Sequence, residues 1–146
     1  MDHIRDLLVE AAIRARDAAY APYSKYAVGA ALWTPLGEIV TGANVENASY
    51  GLTVCAERNA IFRWVASPRP GSELGLLTAL AVAAGPQGEL PSGGRPCGAC
   101  LQVIREFAID LPLYIVEETG VIETRLSALL PDPFRPPFGP TAPSKE

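Results

Sequence analysis

Apolar residues at Ile4, Leu7, Leu8, Ala11, Ala12, Ala15 and Ala19 recur every three to four positions, the spacing of one helical face, and Pro22 ends the run. Ala27 to Trp33 reads as a strand, Thr34-Pro35-Leu36-Gly37 as a turn and Glu38 to Gly42 as a second strand, together a hairpin. The polar stretch Asn44 to Thr53 predicts a loop. From Cys55 to Ala66 apolar and charged positions alternate at helical spacing, which predicts a second helix ending before Pro68. Leu76 to Ala84 is an unbroken apolar run of strand length, as expected of a strand covered on both faces. Gly85 to Pro96 holds four glycines and three prolines and reads as loop. A third helix is predicted over Gly98 to Phe107, then strands at Leu113 to Val116 and Val121 to Arg125 around a Glu118-Thr119-Gly120 turn. Ser127 is placed to cap a short last helix through Leu130.

Six prolines between Pro131 and Glu146 exclude regular structure there. With no repeat and no internal linker, the chain reads as one domain over residues 1–135 with a Pro-rich tail over 136–146. The order α-β-β-α-β-α-β-β predicts one sheet with helices packed against it.

Composition narrows the function. The chain has 146 residues, 49% apolar and 19% charged, enough to bury a core and too apolar for a disordered chain. Fourteen prolines and thirteen glycines exclude an uninterrupted bundle or coiled coil. The net charge is −4 and no Lys/Arg block occurs, so the chain lacks the basic footprint of a nucleic-acid binder and a small-molecule substrate is expected. Met1 to Asp6 does not resemble a secretory leader, and the longest apolar run falls well short of the ~20 residues that span a bilayer. A cytoplasmic location is therefore expected, where thiols stay reduced. The three cysteines then point to metal binding or catalysis. The one histidine, His3, lies in what should be a frayed end, which leaves almost nothing for chemistry that needs an imidazole.

The chemistry concentrates in Cys55-Ala56-Glu57-Arg58 and Pro96-Cys97-Gly98-Ala99-Cys100. A Cys-x-x-Cys pair sets two thiolates on one helical turn, and a third at another helix start would leave one position open, the layout of a catalytic zinc. Both segments are read as helix N-termini, where free N–H groups favour thiolate over thiol. Taken alone, Cys97 and Cys100 also read as a redox pair or as small core hydrophobes. Glu57 adds a carboxylate beside the open position, though a glutamate in a first turn is also an ordinary dipole partner.

These two segments resemble the signature of the zinc-dependent cytidine deaminases, in their small three-cysteine form. Ala21-Pro22-Tyr23-Ser24-Lys25-Tyr26, Val28-Gly29-Ala30-Ala31-Leu32, Asn44-Val45-Glu46-Asn47-Ala48-Ser49-Tyr50 and Leu129-Leu130-Pro131-Asp132-Pro133-Phe134 also fall in family order, so the resemblance covers roughly residues 4 to 135. It implies a three-layer α/β/α fold around a mixed five-stranded sheet, and a homotetramer whose sites neighbouring subunits complete. It implies one Zn²⁺ per subunit on Cys55, Cys97 and Cys100, with water in the fourth place. Glu57 would shuttle the proton as water adds at carbon 4 of cytosine and ammonia leaves. The implied substrates are cytidine and 2′-deoxycytidine, in pyrimidine salvage.

The resemblance further implies that Arg58 offsets the charge of the cysteine sulfurs, and that Asn44 and Glu46 hydrogen-bond the ribose 3′-hydroxyl. Tyr26, where the family usually has Phe, would cover the base. The Ala56 N–H and the Pro96 carbonyl would read the cytosine carbonyl and amine. Phe134 would stack on the base in a neighbouring subunit's site, and Tyr50 would lie near a subunit contact. Two positions depart from the family: Leu101 stands where a second arginine is common, and Arg95 where serine precedes the proline. Other readings remain open: a deaminase for an aminonucleoside antibiotic or another modified cytosine, and a non-catalytic zinc module in need of a fourth ligand.

Overall fold

The computed structural model describes residues 2–71 and 73–139. Helix α1 (Asp2–Ala15) leads into the hairpin β1 (Tyr26–Trp33) and β2 (Ile39–Ala43), followed by α2 (Ala56–Ala66) and β3 (Ala79–Pro86). Helix α3 (Gly98–Phe107) then connects to β4 (Pro112–Glu117), β5 (Gly120–Arg125) and the short α4 (Leu126–Leu129). The five strands form one sheet in the order β2-β1-β3-β4-β5. Among neighbouring strands only β3 and β4 run parallel, with α3 as the crossover that a parallel pair needs, and the other pairs are antiparallel.

Period-two alternation divides the strand residues between two cores. Ala30, Leu32, Leu80, Val82 and Leu113 face Ala60, Ile61, Trp64 and Ile104 of α2 and α3. Ala31, Ala79, Ala81, Ala83 and Tyr114 face Leu8, Ala11 and Ala12 of α1. The result is a three-layer α/β/α arrangement, with β3 buried on both faces.

Two glycines allow the helices to lie this close. A Cβ on Gly29 would sit 2.1 Å from the Ala12 carbonyl oxygen, and one on Gly42 would sit 2.4 Å from the Ala60 nitrogen. Both obstacles are helix backbone, which cannot swing aside. Gly29→Ala is therefore expected to cost about 3 kcal/mol or more, the upper end of overpacking penalties. A denaturation midpoint equal to that of the unsubstituted chain would show that α1 lifts freely from the sheet.

Several boundaries differ from the sequence reading. The first helix stops at Ala15 and tightens into a 3₁₀ turn over Arg16–Ala18, with Ala19 already extended. The Arg16 side chain donates there to the carbonyls of Ala27, Gly85, Pro86 and Glu89, fixing the turn to the far end of β3. Strand β3 begins at Ala79 because its partner β1 ends at Trp33, opposite Ala79. Leu77 is still buried, its N–H bonded to the Phe107 carbonyl.

Ser127 does not cap the last helix but lies inside it. Its N–H and hydroxyl both donate to the Asp110 carboxylate, which acts as the cap from outside. His3 lies in the first turn of α1, exposed. Among the described residues, no helix is long and apolar enough to cross a membrane. The last seven residues of the expected tail, 140–146, lie outside the described residues.

Candidate active site

Cys55 is the N-cap of α2 and Cys97 the N-cap of α3, while Cys100 lies in the first turn of α3. The β3–α3–β4 crossover and the packing of α2 on β1 and β2 bring these two helix starts together. The three sulfurs all lie within 4.8 Å of one another. Zn–S bonds of about 2.3 Å at a tetrahedral angle separate two sulfurs by about 3.8 Å, and Cys55 Sγ and Cys97 Sγ are 3.8 Å apart. None of the three is in a disulfide.

Protonation is shared unequally within the cluster. The Cys55 thiol is pushed down to about 5 by a hydrogen bond from the Cys100 thiol, against the cost of burial, with Arg58 and Cys97 adding to the effect. Cys100 is pushed up, by that same hydrogen bond and by burial. A divalent cation suits such a set, since it replaces the shared proton and favours thiolate at every sulfur. The donors fit zinc.

Arg58 Nη2 donates to Cys55 Sγ at 3.4 Å, which keeps the guanidinium charged. Leu101, one residue past the Cys-x-x-Cys, is 7% exposed and packs into the core between the sheet and α2 and α3. An apolar residue suits that position, and among the described residues the guanidinium on the sulfurs is that of Arg58.

Beside the cluster opens a cavity of about 430 Å³, within the ordinary range for small-molecule sites. Glu57 lines it and is only 3% exposed. Burial pushes its carboxyl up, and the neighbouring Cys55 charge pushes the same way. Tyr26, Asn44 and Glu46 line the same cavity, as do Cys55 and Cys97. Ala56 and Pro96 are buried next to their cysteines without lining it. Phe134 does not line the cavity of its own chain. It is 69% exposed, and its carbonyl accepts from Gln102 Nε2.

Asn44 and Glu46 are held by paired loops. Val45 and Val54 exchange backbone hydrogen bonds, and Tyr20 bonds Asn44 and Glu46 on either side. The Asn44 amide accepts from the Val28 N–H and donates to the Tyr26 carbonyl, both at 2.9 Å, and its second N–H has no partner among the described residues. Glu46 accepts from the N–H groups of Tyr23 and Ser24 and from the hydroxyls of Ser24 and Tyr50. Burial works against ionisation of Glu46, but these bonds outweigh it and hold the carboxyl below the ordinary range.

Sequence reasoning assigned no role to Ser24, Thr53 or Gly94, which all line the cavity. Thr53 Oγ1 is buried and has no hydrogen-bond partner among the described residues. A Cβ on Gly94 would meet Ala84 Cβ at 2.6 Å and the Tyr26 hydroxyl at 3.2 Å, so glycine lets this loop lie against β3 and crowds the tyrosine only slightly. Arg95 reaches the cavity from the same loop, 3.9 Å from Glu117. A small residue beside an aromatic would have been the signal for Gly94, but the two lie far apart in sequence.

Residues 3–115 match the cytidine and deoxycytidylate deaminase zinc-binding region. A cytidine deaminase of Halalkalibacterium halodurans is 44% identical over 132 residues, covering 89% of this chain and 93% of that protein. A cytidine deaminase of Sporosarcina psychrophila is 43% identical over 129 residues, with 87% and 88% covered. The crystal structure of cytidine deaminase from Burkholderia pseudomallei superposes with a TM-score of 0.74 at 45% identity, covering 88% of this chain and 98% of that one. The three-cysteine cluster is thus set in a chain similar to these proteins along nearly its whole length, and the chain belongs to the zinc-binding cytidine deaminase family.

Proposed function

We propose that the cavity takes cytidine and 2′-deoxycytidine and hydrolyses them to uridine and 2′-deoxyuridine with release of ammonia. The observation that carries this reading is the placement of buried Glu57 in a cavity beside three clustered cysteine sulfurs, two of them 3.8 Å apart. Zinc, when bound there, lowers the pKa of water towards about 7 and makes a nucleophile available without a histidine base. Glu57 takes the proton of the attacking water and passes it to ring nitrogen 3. After addition at carbon 4, Glu57 takes the second proton from the new hydroxyl and gives it to the amine, so that the carbon–nitrogen bond breaks, ammonia leaves and the carbonyl forms. A carboxyl pushed up by burial holds the proton between these transfers.

The Ala56 N–H and the Pro96 carbonyl read the carbonyl and amine of the base, and Tyr26 covers the ring. Asn44 and Glu46 take the 3′-hydroxyl, a contact common to ribose and deoxyribose, so both nucleosides react. Arg58 offsets the negative charge of the thiolates. The active form is a homotetramer in the cytoplasm, serving pyrimidine salvage, with residues 1–135 as its single catalytic domain.

The test is the ultraviolet change on loss of the amine when zinc-loaded protein meets cytidine. Conversion that stops on chelation supports the reading, and none from folded, zinc-replete protein sinks it. The exposed Phe134 ring reaches a neighbour's site in this assembly. Phe134→Ala is expected to raise KM about tenfold, the loss of one aromatic stacking contact. An unchanged KM and an unchanged sedimentation profile would remove Phe134 from the site.

A further inference from the structure

The Glu46 carboxylate has no acceptor position to spare. A carboxylate takes about four hydrogen bonds, two on each oxygen. Oε1 accepts from the backbone N–H groups of Tyr23 at 3.0 Å and Ser24 at 3.1 Å. Oε2 accepts from the Ser24 hydroxyl and from the Tyr50 hydroxyl at 3.4 Å. A substrate hydroxyl that donates to Glu46 must therefore displace one of these four.

Three of them are fixed. The N–H groups of Tyr23 and Ser24 belong to a turn closed by the Lys25 N–H on the Ala21 carbonyl at 3.0 Å, with Lys25 held at φ 59°. The Ser24 hydroxyl oxygen also accepts the Tyr26 N–H at 3.0 Å, which anchors it from behind. The fourth donor differs in every respect. The Tyr50 contact is the longest, and its residue stands on the short 3₁₀ turn Tyr50–Leu52. Tyr50 also lines the cavity, so its hydroxyl and a ligand approach Glu46 from the same space.

We infer that the Tyr50 hydroxyl occupies the Glu46 acceptor position that a nucleoside 3′-hydroxyl takes, and that it leaves when substrate enters. Tyr50 is then a positioning residue. It keeps the carboxylate satisfied and in place before binding, and exchange for a sugar hydroxyl restores the same four bonds. A nucleoside without that hydroxyl would leave Tyr50 where it is. The inference rests on Glu46 being the sugar-hydroxyl acceptor proposed above.

Tyr50→Phe removes the competing donor alone. Its ring remains edge-on to Tyr23, with centroids 6.4 Å apart and planes at 85°. The measurements are kcat and KM for cytidine, and the inhibition constant of 3′-deoxycytidine, in the unsubstituted protein and in the Tyr50→Phe variant. KM for cytidine is expected to fall about three- to tenfold, the worth of one exchanged hydrogen bond, with the effect on KM rather than kcat. The inhibition constant of 3′-deoxycytidine is expected to stay the same. A KM that rises or does not move overturns the inference, as does an equal gain for both nucleosides. A shift in KM that comes with a change in sedimentation assigns Tyr50 to assembly and overturns it too. The underlying reading is tested separately on the unsubstituted protein. There, 3′-deoxycytidine must bind more weakly than cytidine, and equal binding removes Glu46 from sugar recognition whatever Tyr50 does.

Discussion

Glu57→Gln is expected to lower turnover by at least two to three orders of magnitude while leaving the fold and the bound zinc in place. The amide has the shape of the carboxyl but cannot take a proton from water or return one to the amine, and general acid–base catalysis is worth about that much. Among the described residues that line the cavity, no other carboxylate can stand in. Glu46, which shares the cavity, is committed to Ser24, Tyr23 and Tyr50 and is held ionised by them. Zinc should stay because Glu57 is not among the three clustered ligands. Turnover within tenfold of the unsubstituted enzyme, at equal zinc content, would end the proton-shuttle assignment.

Removal of zinc is expected to have an effect at least as large. The chain has one histidine, His3, and it lies in α1 rather than beside the cavity. Glu57 alone would face neutral water, whose pKa lies far above anything a carboxylate can deprotonate at pH 7. Chelation should therefore abolish conversion of cytidine, and stoichiometric zinc should restore it. Titrating zinc back against activity reads this directly. Conversion that persists in protein stripped of metal would show that the thiolate cluster is structural and that the chemistry lies elsewhere.

Much of the fold was legible in the sequence because its signals are periodic. Helix α3 carries a strong apolar face, α2 a narrower one of Ala60, Ile61 and Trp64, and β3 announces itself as a run with no polar face to spare for solvent. The strand's first residue was not legible. Leu76 and Leu77 continue the apolar run, yet the edge of β3 is set by where β1 ends, which is a property of another segment. Ser127 misled for a similar reason, since the carboxylate that caps the helix belongs to Asp110, seventeen residues earlier.

The site divides the same way. The three cysteines could be grouped because helix starts and a Cys-x-x-Cys are local patterns, and the structure brings their sulfurs together. The anchoring of Glu46 could not be read. Two of its donors are backbone N–H groups, presented by a left-handed residue at Lys25 that no composition rule would suggest.

The spacing of the cysteines has a consequence for the lifetime of the fold. Cys55 and Cys97 lie 42 positions apart, and the chain between them contains all of α2 and β3. An ion that grips both ends pins a long loop shut. If its constraint is likened to that of a disulfide, closing a loop of this length removes about 4 kcal/mol of freedom from the unfolded chain. That is a sizeable share of the net stability of a single domain. Metal starvation would then act as a folding stress as well as an inhibition, and protein without zinc would be the more readily cleared by proteases.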